Sequence, residues 1–142
     1  MNSIREQIVS AMHAAVSDAH PEYDVRRLRR RPVDKADKPS VAINLATESA
    51  TDETAHDATE STLTVEVVIA ASVDCDSEID PVMADAHRAI MADDTLGGLA
   101  EMTSYTGCTW TYEEGGDGLA ITAVMTFDVR YLHDLTDMTL QS

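Results

Sequence analysis

The feature that most constrains this chain is the run LAITAVMTFDVRY, residues 119 to 131. Leu119, Ile121, Ala123, Met125, Phe127, Val129 and Tyr131 alternate with Thr122, Thr126, Asp128 and Arg130, so apolar side chains fall on one face of an extended strand. A second run, residues 61 to 73, repeats the pattern with Leu63, Val65, Val67, Ile69, Ala71 and Val73. Two long strands with one apolar face need a cover, and the rest of the chain must supply it.

Two segments have the spacing to do so. From Ser3 to Ala19, Ile4, Ile8, Met12, Ala15, Val16 and Ala19 recur every three or four residues on one helical stripe. Ser3 followed by Glu6 forms a capping-box pattern at its start, and Pro21 ends it. A second helix is expected from Asp80 as N-cap with Pro81 at the first helical position. It carries Val82, Met83, Ala86 and Ile90 on one face and runs to about Asp93.

Between these lie weaker strands. Residues 23 to 30, YDVRRLRR, read as an edge strand anchored by Val25, and 31 to 39 as a loop bounded by Pro32 and Pro39. SVAINLA, residues 40 to 46, alternates Val41, Ile43 and Leu45 as a half-buried strand. Residues 47 to 60 hold five acids, Glu48, Asp52, Glu53, Asp57 and Glu60, and no large apolar side chain; they read as a mobile acidic hairpin loop. After the turn TLGGL, residues 101 to 113 and 118 to 132 form a last pair of strands, and 132 to 142 a C-terminal tail.

The expected fold is therefore one α+β domain over residues 1 to 142, in the order α-β-β-β-α-β-β. An antiparallel or mixed sheet of about five strands carries two helices packed on it. Six aromatics among 142 residues leave the core to aliphatic side chains.

Charge narrows the function. Twenty-six acids against ten bases give a net charge of −16, which opposes nucleic-acid binding and suits work in concentrated salt, where self-repulsion is screened. No apolar run is long enough to span a membrane, and the N-terminus lacks a signal-peptide core. Cys75 and Cys108 are too few for a disulfide framework and read as reduced. The five histidines lie on separate elements without metal-ligand spacing, so no metal or cofactor is expected. No nucleophile elbow, catalytic-thiol signature or phosphate loop occurs, so no catalytic residues are assigned.

Seven of the ten bases lie between Arg26 and Lys38, with Arg26, Arg27, Arg29, Arg30 and Arg31 in one run. Guanidinium forks suit carboxylates on a neighbouring copy; a solvated edge and a nucleic-acid patch are the other readings, the last opposed by the surrounding acids.

The stretches LTVEVVIAAS, DPVMADAHRAIMADDTLGGLAE and TYEEGGDGLAITAVMTFDVRY resemble the tail terminator proteins of long-tailed phages, the group of lambda's minor tail protein U. The likeness covers residues 61 to 131, with the earlier part matching in element order. It implies a non-enzymatic virion protein, assembled in the host cytoplasm, that sits at the neck as a hexameric ring. Such a ring would cap the tail tube, contact a head-completion or stopper protein, and let genomic DNA pass without specific binding; no membrane is involved. The alternatives are another neck component, or a small acidic binding domain. Within that reading Leu96 and Leu99 pin the turn, Gly97 or Gly98 supplies a positive φ, and the acids of 47 to 60 face the channel or a partner.

Overall fold

The computed structural model describes residues 2–27, 39–55, 58–73, 76–115, 118–134 and 136–141. Two helices, α1 (Ile4–Ala19) and α2 (Asp80–Met91), accompany five strands: β1 (Asp24–Arg26), β2 (Ser40–Ala55), β3 (Ala58–Val73), β4 (Met102–Gly115) and β5 (Gly118–Asp134). This is the expected α+β order. The strands lie side by side as β1-β2-β3-β5-β4, with β1 parallel to β2 and every other pair antiparallel, which makes the sheet mixed.

The most strongly patterned strands occupy the middle. β5 pairs with β3 from Val73↔Leu119 to Ala58↔Asp134 and with β4 on its other side, so it has strand neighbours along both edges. The register puts Leu63 opposite Val129, Val65 opposite Phe127 and Val67 opposite Met125, which brings both apolar runs to one face. The helices cover that face. Ile8, Val9, Met12 and Val16 of α1 and Val82, Met83, Ala86 and Ile90 of α2 are buried against it. Each Val, Ile or Met among them contributes roughly 1.5–3 kcal/mol when fully removed from water.

Several local features depart from expectation. Ser3 does cap α1, accepting a hydrogen bond from the Glu6 amide at 3.2 Å, but Val9 joins the buried stripe and Ala19 is exposed. Ile79, not Asp80, is the N-cap of α2; Asp80 is its first residue, and the helix ends at Met91 rather than near Asp93. The edge strand β1 is three residues long, shorter than the 23 to 30 expected, and residues 28 to 38 lie outside the described set. Leu45 shares its alternation with Val41 and Ile43 yet is 44% exposed, because β1 flanks only Ser40–Ala42 and a bulge follows Leu45.

The largest correction concerns 47 to 60. It is strand, not loop: β2 continues to Ala55, β3 begins at Ala58, and the pairing includes Glu48↔Leu63, Ala50↔Ser61 and Ala55↔Ala58. The polar stretch has no apolar face of its own, but its Thr, Ser and Ala residues tolerate extended backbone, and β3 offers a long edge to pair with. The excess chain is absorbed in irregularities between Leu45 and Thr47, Ala50 and Glu53, and Glu53 and Ala55.

The C-terminal residues are likewise more than a tail. β5 runs to Asp134, Gln141 bridges back to His133, and the Met138 carbonyl accepts the Ile4 amide at 2.8 Å at the start of α1. Among the described residues, no helix is long and apolar enough to cross a membrane.

Candidate assembly surfaces

The turn after α2 is built around one carboxylate. Asp93 accepts hydrogen bonds from the Thr95 hydroxyl at 2.7 Å, the Thr95 amide at 3.1 Å and the Gly97 amide at 2.8 Å. The Thr95 side chain, followed by the Gly97 and Thr95 amides, holds the Asp93 carboxyl below the usual range. Three consecutive residues then take left-handed backbone: Leu96 at φ 51°, Gly97 at 73° and Gly98 at 88°. Both glycines supply the positive φ, and Leu96 adopts it too, a conformation a branched side chain accepts only when held there. Its side chain is buried, and Leu99 packs partly against the same core. The Glu101 amide then reaches the Arg130 carbonyl at 2.8 Å, delivering the chain to β4.

The same Asp-x-Thr arrangement recurs twice in the C-terminal segment. Asp134 accepts from the Thr136 amide and hydroxyl, both at 3.0 Å, and Asp137 from the Thr139 amide at 2.9 Å and hydroxyl at 2.6 Å. These turns fold residues 136–141 back so that the Gln141 side-chain Nε2 donates to the Gly98 carbonyl at 2.9 Å. Asp-x-Thr occurs five times in the sequence, also at Asp52–Thr54 and Asp57–Thr59, so the pattern alone does not mark these turns.

The structure places two of the five run arginines. Arg26 grips Asp24, with its Nε 3.1 Å from Oδ1 and a terminal nitrogen 2.8 Å from Oδ2. Arg27 forks onto Glu6 of α1 at 2.5 and 3.2 Å, and that guanidinium lowers the Glu6 carboxyl. The first pair lies within β1, and the second ties the end of β1 to α1. Arg29, Arg30 and Arg31 lie outside the described residues.

Of the five hairpin acids, Glu48 is engaged within the chain: Arg5 donates to it at 2.7 Å, and so does the Tyr131 hydroxyl. Burial, then the Glu48 carboxylate, pushes the Tyr131 phenol far above its ordinary value. Glu60 is half-buried on β3, opposite Leu132. Asp52 and Glu53 are placed by backbone alone on β2, and Asp57 lies outside the described residues.

Beside this network, the Ser61 hydroxyl and His133 Nε2 are 3.2 Å apart while His133 Nδ1 meets the Asp134 carbonyl at 2.9 Å. That carbonyl sets Nδ1 as the donor and leaves Nε2 to accept from Ser61. With Ser61 1% and His133 5% exposed, no substrate reaches the pair, and it fastens the ends of β3 and β5. Among the described residues, no group of three or more metal-capable side chains converges.

One surface went unread in the sequence. The register sets Tyr105 opposite Phe127, Trp110 opposite Ala123 and Tyr112 opposite Ile121, so edge strand β4 continues the apolar face. There it carries Tyr105, Trp110 and Tyr112, each more than 40% exposed. The alternation in TWTYE was its signal.

Against known proteins, the sequence profile for phage minor tail protein U matches residues 1–131, from the start of α1 to Tyr131 near the end of β5. The chain belongs to that family. As a member of the minor tail protein U family it is a structural phage tail protein, and its place is the virion. No curated protein matches the chain. Among solved structures it is similar to a chain from the virion of a native gene transfer agent particle, at 13% identity, 90% coverage of each chain and a TM-score of 0.38.

Proposed function

We propose that this tail protein forms a hexameric ring that caps the finished tail tube, ends its polymerisation and presents the face that docks on the head connector. The observation that carries the reading is the family match over residues 1–131, which takes in both helices, all but the end of the sheet, and the Asp93–Gly98 turn. The role is one of assembly and not of catalysis. Its partners are further copies of itself, the tube protein below and a head-completion or stopper protein above, at the virion neck.

Charge supports a passive channel. A chain of net charge −16 repels the phosphate backbone, so DNA slides past without being held. Glu48, Asp52, Glu53 and Glu60 fall toward one end of the paired strands β2 and β3 by strand position, and we assign these acids, with Asp57, to the channel or to a partner, and the basic segment Arg26 to Arg31 to subunit contacts.

The test is a tube-polymerisation assay with purified tube protein. Added at the start of growth, this protein is expected to shorten the tubes and to sit at one end only, while light scattering gives particles of six chain masses. Tubes of unchanged length with the protein bound to head connectors alone would assign it to the stopper position instead. A monomer that binds neither would leave the small acidic binding domain.

A further inference from the structure

The apolar face of the sheet does not end where the helices end. α1 and α2 cover that face, α2 reaching β4 where the His87 ring meets Tyr105 edge-on, and farther along β4, at the sheet edge, Trp110 is 46% and Tyr112 51% exposed. These two aromatics close one side of a cavity of about 470 Å³ whose other walls are Ser77, Ile79, Asp80 and Met83 at the entry to α2. Glu114 is exposed two residues beyond Tyr112, on the same face of β4 by strand alternation. An open pocket with aromatic faces and carboxylates at its rim is built for a guanidinium, which stacks on the ring and forks onto the acid.

The same molecule supplies such groups elsewhere. Seven of its ten bases fall within residues 26 to 38. That segment leaves from Arg27 and returns at Pro39, and the Pro39 carbonyl accepts the Asp24 amide of β1. Both ends therefore sit at the β1 edge, four strand spacings from β4, about 19 Å across the sheet. Arg31 lies four residues past Arg27, about 14 Å of fully extended chain, and α1 and α2 fill the direct path over that face. The described ends of the segment thus stand at the opposite sheet edge from the β4 pocket, with the helices between them, and a second copy can bring the two edges together.

We propose that the pocket formed by Trp110, Tyr112, Met83 and Asp80 receives the arginine segment, residues 29 to 31, of a second copy of this chain. Arg27, ion-paired to Glu6 of α1, anchors the root of that segment to its own body. The contact joins opposite edges of the sheet, so it is heterologous: every subunit offers one pocket and one arginine segment, and repetition of the contact generates a ring where its rotation closes. It also places cations against acids where like-charged chains must meet, so moderate salt weakens it. The inference rests on the ring reading above and specifies how that ring is held.

Trp110 is the only tryptophan, so its emission reports this site alone. A synthetic peptide of residues 24–38 titrated into the full chain is expected to shift and saturate the Trp110 emission, and a peptide with Arg29, Arg30 and Arg31 replaced by Glu is expected to leave it unchanged. Tyr112→Ser with Asp80→Asn is expected to weaken peptide binding and self-assembly together, about 30-fold or more for an aromatic contact of this kind. A polarity experiment completes the test. A Trp110→Ser/Tyr112→Ser chain and an Arg29→Glu/Arg30→Glu/Arg31→Glu chain each keep one half of the contact, so mixing them yields pairs and no rings. Wild-type assembly into rings without a change in Trp110 emission would overturn the inference and leave the ring reading standing. A wild-type chain that stays monomeric removes the ring reading, and the peptide then decides the pocket: no emission shift overturns it. A shift caused by tube protein but not by the peptide would assign the pocket to that partner and refute the proposal.

Discussion

Gly98 offers a direct measure of what the turn after α2 costs and contributes. Its φ is 88°, and a Cβ placed there meets no atom within 4 Å, so replacement by alanine tests the backbone conformation with no steric clash to confuse it. A left-handed conformation costs an L side chain about 1–2 kcal/mol, and the lost freedom of the unfolded chain offsets about 0.4–1 kcal/mol of that. Gly98→Ala is therefore expected to destabilise by about 1 kcal/mol, and Gly98→Asn by roughly half as much because Asn tolerates this region. The neighbour behaves differently. Leu96 is 5% exposed, so Leu96→Ala loses core packing and is expected to cost about 2–5 kcal/mol. Urea unfolding at fixed protein concentration and salt measures both, since coupling to assembly would otherwise shift the midpoint. If Gly98→Ala were neutral or stabilising while the slope of the transition stayed unchanged, the left-handed turn would be wrong, and with it the account of how the chain reaches β4.

Three further outcomes follow from the hydrogen-bond networks. The Asp93 carboxyl is held below its ordinary value of about 3.9, so its contribution is present above that pH and disappears as pH falls through the lowered folded value; Asp93→Ala is expected to flatten the loss of stability between pH 6 and 2.5 in urea titrations. Tyr131 works in the opposite sense: its phenol is raised, so the stability it gives is intact below about pH 10 and is lost as pH rises. Tyr131→Phe is expected to cost about 1–3 kcal/mol at pH 7 by removing a buried donor to Glu48, and to unfold less steeply in alkali; an unchanged midpoint at both pH values would refute the network. Truncation after Asp134 removes the Met138 carbonyl from the Ile4 amide and Gln141 from Gly98, and is expected to speed amide exchange at Ile4 and around the turn while leaving the middle of β5 protected.

How far the sequence reached can be followed along β2 and β3. Residues 61 to 73 announce themselves because burial on one face forces a period of two, and every described odd position from Leu63 to Ala71 is buried. Residues 47 to 50 carry no such period, Thr47, Ser49 and Ala50 being exposed and Glu48 half-buried, so nothing in their composition distinguishes strand from loop. Their extended form comes from the backbone of β3, which pairs with whatever chain lies alongside. Glu48 shows the same division for the candidate site: as a letter it is one acid among five, and only the fold brings it between Arg5, 43 residues earlier, and Tyr131, 83 residues later.

The sequence by itself determined what periodicity and local chemistry encode: two amphipathic helices, the apolar faces of β3 and β5, the Ser3 cap, and glycine where the turn needs a positive φ. It also carried the family, because the order of those elements and the Thr-Leu-Gly-Gly-Leu turn are written locally. Tertiary structure alone decided that β5 lies between β3 and β4, that β1 runs parallel to β2, and that β4 rather than another strand stands at the edge with its aromatics uncovered. Strand order is a choice among pairings whose backbone hydrogen bonds are chemically alike, so it is settled by which arrangement buries the most apolar surface. That choice puts the pocket of Trp110 and Tyr112 on one edge of the sheet and the root of the arginine run on the other, the separation that the proposed contact between copies uses.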